Sequence, residues 1–274
     1  IQLKSKFYTM QFLDNIFFAL LLAIGIGYFA INVKKLIRNI KLGHDVDRSD
    51  NASERWKNMT MVALGQSKMV KRPVAGFLHI IVYVGFVIIN IEVIEIIIDG
   101  LFGTHRVLSF MGGFYDVLIG SFEILAFLVL ITVIIFWIRR NVTKLGRFAS
   151  SDLDGKPRND ANYILYFEVV LMSLFLLMNA ADFHLQNLGI GHYNQAGSFP
   201  ISQFIAPMFN GMSEGLVVII ERAAWWLHIA GILVFLNYLY FSKHLHILLA
   251  FPNTYFADLN AKGKLNNLES VTNE

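Results

Sequence analysis

The chain has 274 residues, 55% of them hydrophobic, 14% aromatic and only 16% charged, with a mean hydropathy of +0.54. Soluble domains carry nearer about a quarter charged residues, which excludes an ordinary soluble domain. A formal charge of +3 without any aromatic–basic motif argues against nucleic acid, and the absence of cysteine excludes disulfides and cysteine-held zinc or iron–sulfur clusters within these residues.

In chain order, five apolar runs are long enough for a ~30 Å hydrocarbon core: about 12–33, 74–99, 114–138, 162–184 and 215–251. The first lacks a small-residue cleavage site and is followed by Lys34, Lys35 and Arg38, so it reads as a span and not a cleaved leader. Residues 54–69 mix Trp56, Met59, Met61, Val62 and Leu64 with charge and predict an interfacial helix before the second span. The stretch 186–212, rich in Gly, Asn and Ser but carrying Phe199, Phe204, Ile205, Met208 and Phe209, predicts a partly buried outer loop. The fifth run exceeds what a bilayer needs, which predicts tilt or a protruding end. Residues 1–252 therefore form one all-α transmembrane bundle of five helices, and 253–274 a polar cytoplasmic tail leading into or docking on another domain. No internal repeat supports an inverted-repeat transporter.

Basic residues set the orientation. Segment 34–72 holds ten Lys or Arg and 139–158 holds six, whereas the opposite side has Lys4, Lys6 and Arg106. The N-terminus is predicted outside and the C-terminus in the cytoplasm, in a multi-pass protein of the cytoplasmic (inner) membrane.

His228 and His246 are 18 residues apart in the fifth run, about five helical turns, so a continuous helix would point both imidazoles one way roughly 27 Å apart. Two stacked haems need that arrangement; the bland alternative is packed polar side chains, and ionisable groups within lipid are usually functional. His79 lies six residues after Pro73 and His246 six before Pro252, each about 9 Å from its boundary, so the two are placed to clamp one haem iron from both faces. His244 competes but falls about 160° from His228 around the helix, toward headgroups or solvent. Gly76, Gly85 and Gly231 would let a flat macrocycle approach the backbone. His228 needs an outer partner: His184 is first by counted depth, and His105 and His192 are loop alternatives. A single-haem protein, with His228 serving a quinone or a water chain, is the other option.

The segment GFLHIIVYVGF around His79 and the run WWLHIAGILVFLNYLYFSKHLHILLAFPN resemble the nitrate reductase gamma-subunit family, and more closely the b-type cytochrome membrane domain found with heterodisulfide-reductase-type iron–sulfur proteins. The resemblance covers nearly all the spans. It implies five helices with the N-terminus outside, haem ligands at His228 and His246, and an inner haem held by His79 and His246. The family's other second-helix ligand falls at Ile89, a departure that bears on the outer haem. The resemblance also implies a cytoplasmic iron–sulfur partner or fused domain, and exchange of electrons with a quinone, menaquinone or ubiquinone.

Intramembrane acids form a second pattern. Glu92, Glu95 and Asp99 recur on one face of the second span, with Glu221 and Arg222 at a similar level on the fifth. Quinol oxidation releases protons, so a quinone site needs such groups; the structural alternative is an ion pair of Arg222 with Glu92 or Glu95. Glu123, Glu168 and Asp182 carry no assigned role. The reading is a membrane cytochrome with one or two b-type haems linking a quinone pool to an iron–sulfur oxidoreductase. Its rivals are a proton-coupled transporter or channel built on the same acids and histidines, and a structural anchor for a soluble enzyme.

Overall fold

In the computed structural model, residues 2–143, 145–146, 154–260 and 263 are described, residues 2–11 by their backbone alone. Most of the predicted tail lies outside the described residues. Among the described residues the structure is all-helical: α1 (Gln2–Ile40), α2 (Ala52–Met59), α3 (Pro73–Phe102), α4 (Gly113–Asn141), α5 (Lys156–Asn187), α6 (Ser202–Ile205), α7 (Glu214–Leu239) and α8 (Leu245–Tyr255). Five are long and apolar enough to cross a membrane: Phe12–Ile40 of α1, and α3, α4, α5 and α7.

Local chemistry sets several boundaries. Pro73 opens α3, where its missing N–H is no loss, and Gly103 closes it at φ 67°, a conformation that favours glycine. Arg139 and Arg140 occupy the last turn of α4, where positive charge suits the helix dipole. The spanning helices close a ring in which α3 packs on α4, α4 on α5, α5 on α7, α7 on α1 and α1 on α3. Helix α1 is the loosest member, with 17% of its apolar window buried, anchored mainly by Phe18 and Leu22.

The ring has two ends. The loop end carries the α3–α4 connection and the stretch 188–213; the basic end carries 41–72, 142–143, 154–155 and 240–260. At the loop end Tyr193, Phe199, Ala206 and Phe209 are buried while Phe204 and Met208 are exposed, in a stretch that carries α6 and a 3-10 turn, Ala206–Phe209. At the basic end α2 runs into a π-helical turn, Thr60–Leu64, and lies against α8. Arg55 donates to the carbonyls of Tyr255 and Ala257 at 3.2 and 2.9 Å, and Trp56 meets Tyr255 edge-on.

The main departure from expectation is the fifth run, which is not one helix. Helix α7 ends at Leu239 and α8 starts at Leu245. A continuous helix would give the Lys243 N–H to the Leu239 carbonyl; Asp160 of α5 takes it instead at 3.0 Å and also accepts the Tyr238 hydroxyl at 2.6 Å. Ser242 fills the gap through both its N–H and its hydroxyl, which reach the Leu239 carbonyl. The excess length becomes a break and a separate helix, so the continuous helix from which a shared face and roughly 27 Å separation of His228 and His246 were expected is not present. Pro252, taken as the exit from the membrane, sits inside α8.

The three glycines predicted to admit a macrocycle are occupied by protein. A Cβ at Gly85 would lie 2.5 Å from Val129, one at Gly231 2.8 Å from Leu171, and one at Gly76 2.4 Å from the Met69 carbonyl. They allow close helix and loop packing. Gly85→Ala should therefore cost about 1–3 kcal/mol by overpacking the α3–α4 contact, seen as a lower melting temperature in detergent, and adding Val129→Ala should restore most of it.

Candidate functional site

The loop end is organised by Arg106. This residue is buried and sits at φ 51°, a left-handed conformation costly for a non-glycine residue. Its Nε donates to Asp182 at 2.6 Å, one Nη to Tyr115 at 3.2 Å and the other to Asn179 at 3.0 Å. Burial works against its charge, but Asp182, Tyr115 and Glu92 outweigh it and hold the guanidinium well above its ordinary pKa. Asp182 also accepts from His105 Nε2 at 3.1 Å and from Gln186 at 3.2 Å.

Most other carboxylates here fasten loop backbone or a neighbouring side chain. Asp99 accepts the N–H groups of Arg106 and Val107. Glu95 accepts the Leu108 N–H and the Tyr115 hydroxyl, each at 2.9 Å. Glu123 receives the N–H groups of Ile201 and Ser202 at 2.9 and 3.0 Å and the Asn179 amide at 3.2 Å. Glu221 accepts the Tyr193 hydroxyl at 2.9 Å and pairs with its neighbour Arg222, so the ion pair weighed between Arg222 and Glu92 or Glu95 is not the one formed. Glu123 and Asp182 thus acquire roles as locks on the loop end; Glu168 is half-buried.

Several of these groups border a partly open cavity of about 400 Å³ lined by α1, α3, α5, α7 and both loops. Glu92, Glu95, Glu221 and Arg222 all border it, together with His105 and His192. Trp225 and Trp226 also border this cavity and pack on Phe18 at 5.2 and 5.8 Å. Burial, then the charges of His105 and Arg222, keep the His192 pKa below its ordinary value.

The histidines divide differently from the sequence expectation. His228 is 1% exposed; its Nδ1 donates to the Leu171 carbonyl at 3.0 Å and its ring lies 5.7 Å from Phe175. His184 lies against Phe209, 5.9 Å away. Leu171 and His184 are 13 residues apart on α5, roughly 20 Å along its axis, so the structure does not bring His228 and His184 together. Counted depth failed because it assumed an unbroken fifth helix. His105 and His192, 5.3 Å apart, turn to the cavity and not to His228.

At the basic end, His79 and His246 are close enough for their charges to interact. Nδ1 of His79 is buried without a partner, while Nδ1 of His246 donates to the Lys243 carbonyl at 2.7 Å, leaving Nε2 free. His244 is not turned to headgroups or solvent as expected: it packs 5.6 Å from Phe235 and 5.7 Å from His246, and burial, with help from His246, pushes its pKa down to about 4. Among the described residues no group of three or more His, Cys, Asp or Glu could hold a bare metal ion.

The buried network was missed from sequence, although Arg106, an isolated cation opposite the basic end, was a signal. Comparison with known proteins adds context. The chain is 30% identical over 256 residues to the probable iron-sulfur-binding oxidoreductase FadF of Bacillus subtilis, covering 93% of this chain and 34% of that one. It is 24% identical over 220 residues to the EtfAB:quinone oxidoreductase of Syntrophomonas wolfei, covering 78% of this chain and 29% of that one. The chain spans about a third of the length of these curated relatives. No family model matches it, and no solved structure matches it significantly.

The Arg106–Asp182 pair makes a direct stability prediction. Arg106→Gln should destabilise the protein by about 3–5 kcal/mol, because it strands a buried carboxylate. Adding Asp182→Asn should recover part of that loss, measured by thermal unfolding in detergent; an unchanged melting temperature in the single variant would contradict the network.

Proposed function

We propose that this chain is the membrane electron-transfer module of a quinone-linked iron–sulfur oxidoreductase, with a quinone site at the loop end and a b-type haem site at the basic end. In this reading the loop end faces outward and the basic end the cytoplasm of the inner membrane, following the positive-inside rule. An iron–sulfur protein or fused domain would meet the basic end; the names of the two relatives support both the iron–sulfur and the quinone link.

The observation that carries the haem site is the nearness of His79 to His246 on a second element, close enough for their charges to interact. His246 has the other half of the arrangement: a backbone carbonyl holds its Nδ1, the usual way a ligating histidine is oriented. A haem bound there supplies one-electron redox chemistry at a potential set by ligand identity and burial. The residues do not fit a second haem. His228 has no facing imidazole, and Leu171 fills the space at Gly231. The reading is therefore one haem per chain, held by His79 and His246.

The quinone site is supported by the cavity and by its boundary. Its walls combine carboxylates, histidines and two tryptophans, apolar surface with a few polar groups, as small-molecule sites require. On one side it is bordered by Asp14, Asn15 and Phe18 of α1, the least buried helix, which suits a substrate arriving from lipid. The histidine assignment is tested by dithionite-reduced visible spectra and haem assay. Haem-replete wild type should show a b-type α-band and one haem per chain. His79→Ala and His246→Ala should each remove it, while His184→Ala and His244→Ala keep it. A colourless wild type, or loss in only one of the first two variants, would refute the assignment.

A further inference from the structure

The polar groups around the loop-end cavity are not equivalent. Both oxygens of Glu95 are engaged by Leu108 and Tyr115, Asp182 is held by Arg106, His105 and Gln186, and Glu221 by Tyr193 and Arg222. Two wall residues differ. Glu92 is 3% exposed and its Oε2 is buried with no partner. Arg106 is the cation whose charge reaches it, but the hydrogen bonds of that guanidinium go to Asp182, Tyr115 and Asn179. His105 has Nε2 fixed by Asp182, while its Nδ1 is buried with no partner. Both residues border the cavity.

A buried polar atom without a partner costs free energy, and each such atom calls for an explanation. Here the two belong to residues that border one cavity, a carboxyl on α3 and an imidazole on the following loop. A quinone presents two oxygens on one ring and needs two polar contacts. The carboxylate of Asp182 on Nε2–H makes Nδ1 the basic atom of neutral His105, the same tautomer logic that orients a catalytic histidine.

We propose that Glu92 and His105 are the two proton-exchanging contacts of the quinone, one for each oxygen; this rests on the quinone reading above. In quinol oxidation one O–H bond breaks toward the Glu92 carboxylate and the other toward His105 Nδ1. The two electrons leave singly to a one-electron acceptor of the haem class, which is reduced, and the ring is left as the quinone. Asp182 offsets the imidazolium that forms. Both protons then pass to solvent. In quinone reduction the same two groups return the protons and the donor is oxidised.

The test uses the full chain. Fluorescence quenching of heptyl-hydroxyquinoline N-oxide, a quinol analogue, reports binding; redox-difference infrared spectra with decylubiquinone report which groups change protonation. Wild type should bind the analogue and show both a carboxylic-acid C=O band and imidazole bands on quinone reduction. Glu92→Gln should lose the carboxylic band and keep the imidazole bands, His105→Gln the reverse, and Glu168→Gln should keep both. Decylubiquinol oxidation should slow about 100-fold in Glu92→Gln, within the range for losing a positioned acid–base group. Persistence of the carboxylic band in Glu92→Gln, or its absence from wild type, overturns the proposal while analogue binding leaves the quinone site standing. Failure of wild type to bind the analogue removes the quinone site and this proposal together.

Discussion

A guanidinium buried beside a carboxylate in a low-dielectric bundle is the constraint on which the loop end depends. Taking both charges from water is costly, and only close, saturated hydrogen bonding offsets it. Arg106 meets that demand with Asp182, Tyr115 and Asn179, and the geometry holds its own backbone in a left-handed conformation. The α3–α4 loop is thereby tied to α5. Asp99 and Glu95 tie the same loop to α3, and Glu123 ties α4 to the start of α6. The roof of the cavity is a set of loops nailed down by intramembrane acids, which is why so many carboxylates can sit within an apolar bundle.

The basic end follows a different principle. Asp160 diverts one backbone N–H and one tyrosine hydroxyl, and that break lets α8 turn away from the axis of α7 and lie against α2. The break separates what a straight helix would have aligned. His228 stays with α5 as a buried, hydrogen-bonded core residue, and His246 joins His79 near the start of α3. The proposed carriers therefore sit at opposite ends of the ring, with packed side chains between them.

The five spans were legible because hydropathy over 20 residues is a property of the segment alone, and Pro73 and Gly103 punctuate α3 through their own backbone limits. The break at 240–244 was not legible. It contains neither proline nor glycine, and its cause is a carboxylate some 80 residues earlier in sequence. Depth counting inherited that error and placed His184 opposite His228. The roles of the acids were partly legible. Their spacing placed Glu92, Glu95 and Asp99 on one face, yet only their partners, supplied by loops, separate the locks from the one left open. The glycines misled for a similar reason: a missing side chain marks close approach, but the approaching atoms belong to Val129, Leu171 and the 69–70 backbone.

The relatives carry about two-thirds of their length outside the region matched here, and the role proposed for this chain is a connection between two sites across the ring. That connection is most directly tested by following the visible spectrum of haem-replete wild-type protein on anaerobic addition of decylubiquinol. The quinol should reduce a b-type haem, and the hydroxyquinoline analogue should block the reduction. A haem that dithionite reduces but quinol leaves oxidised at every ratio of quinol to quinone would contradict it.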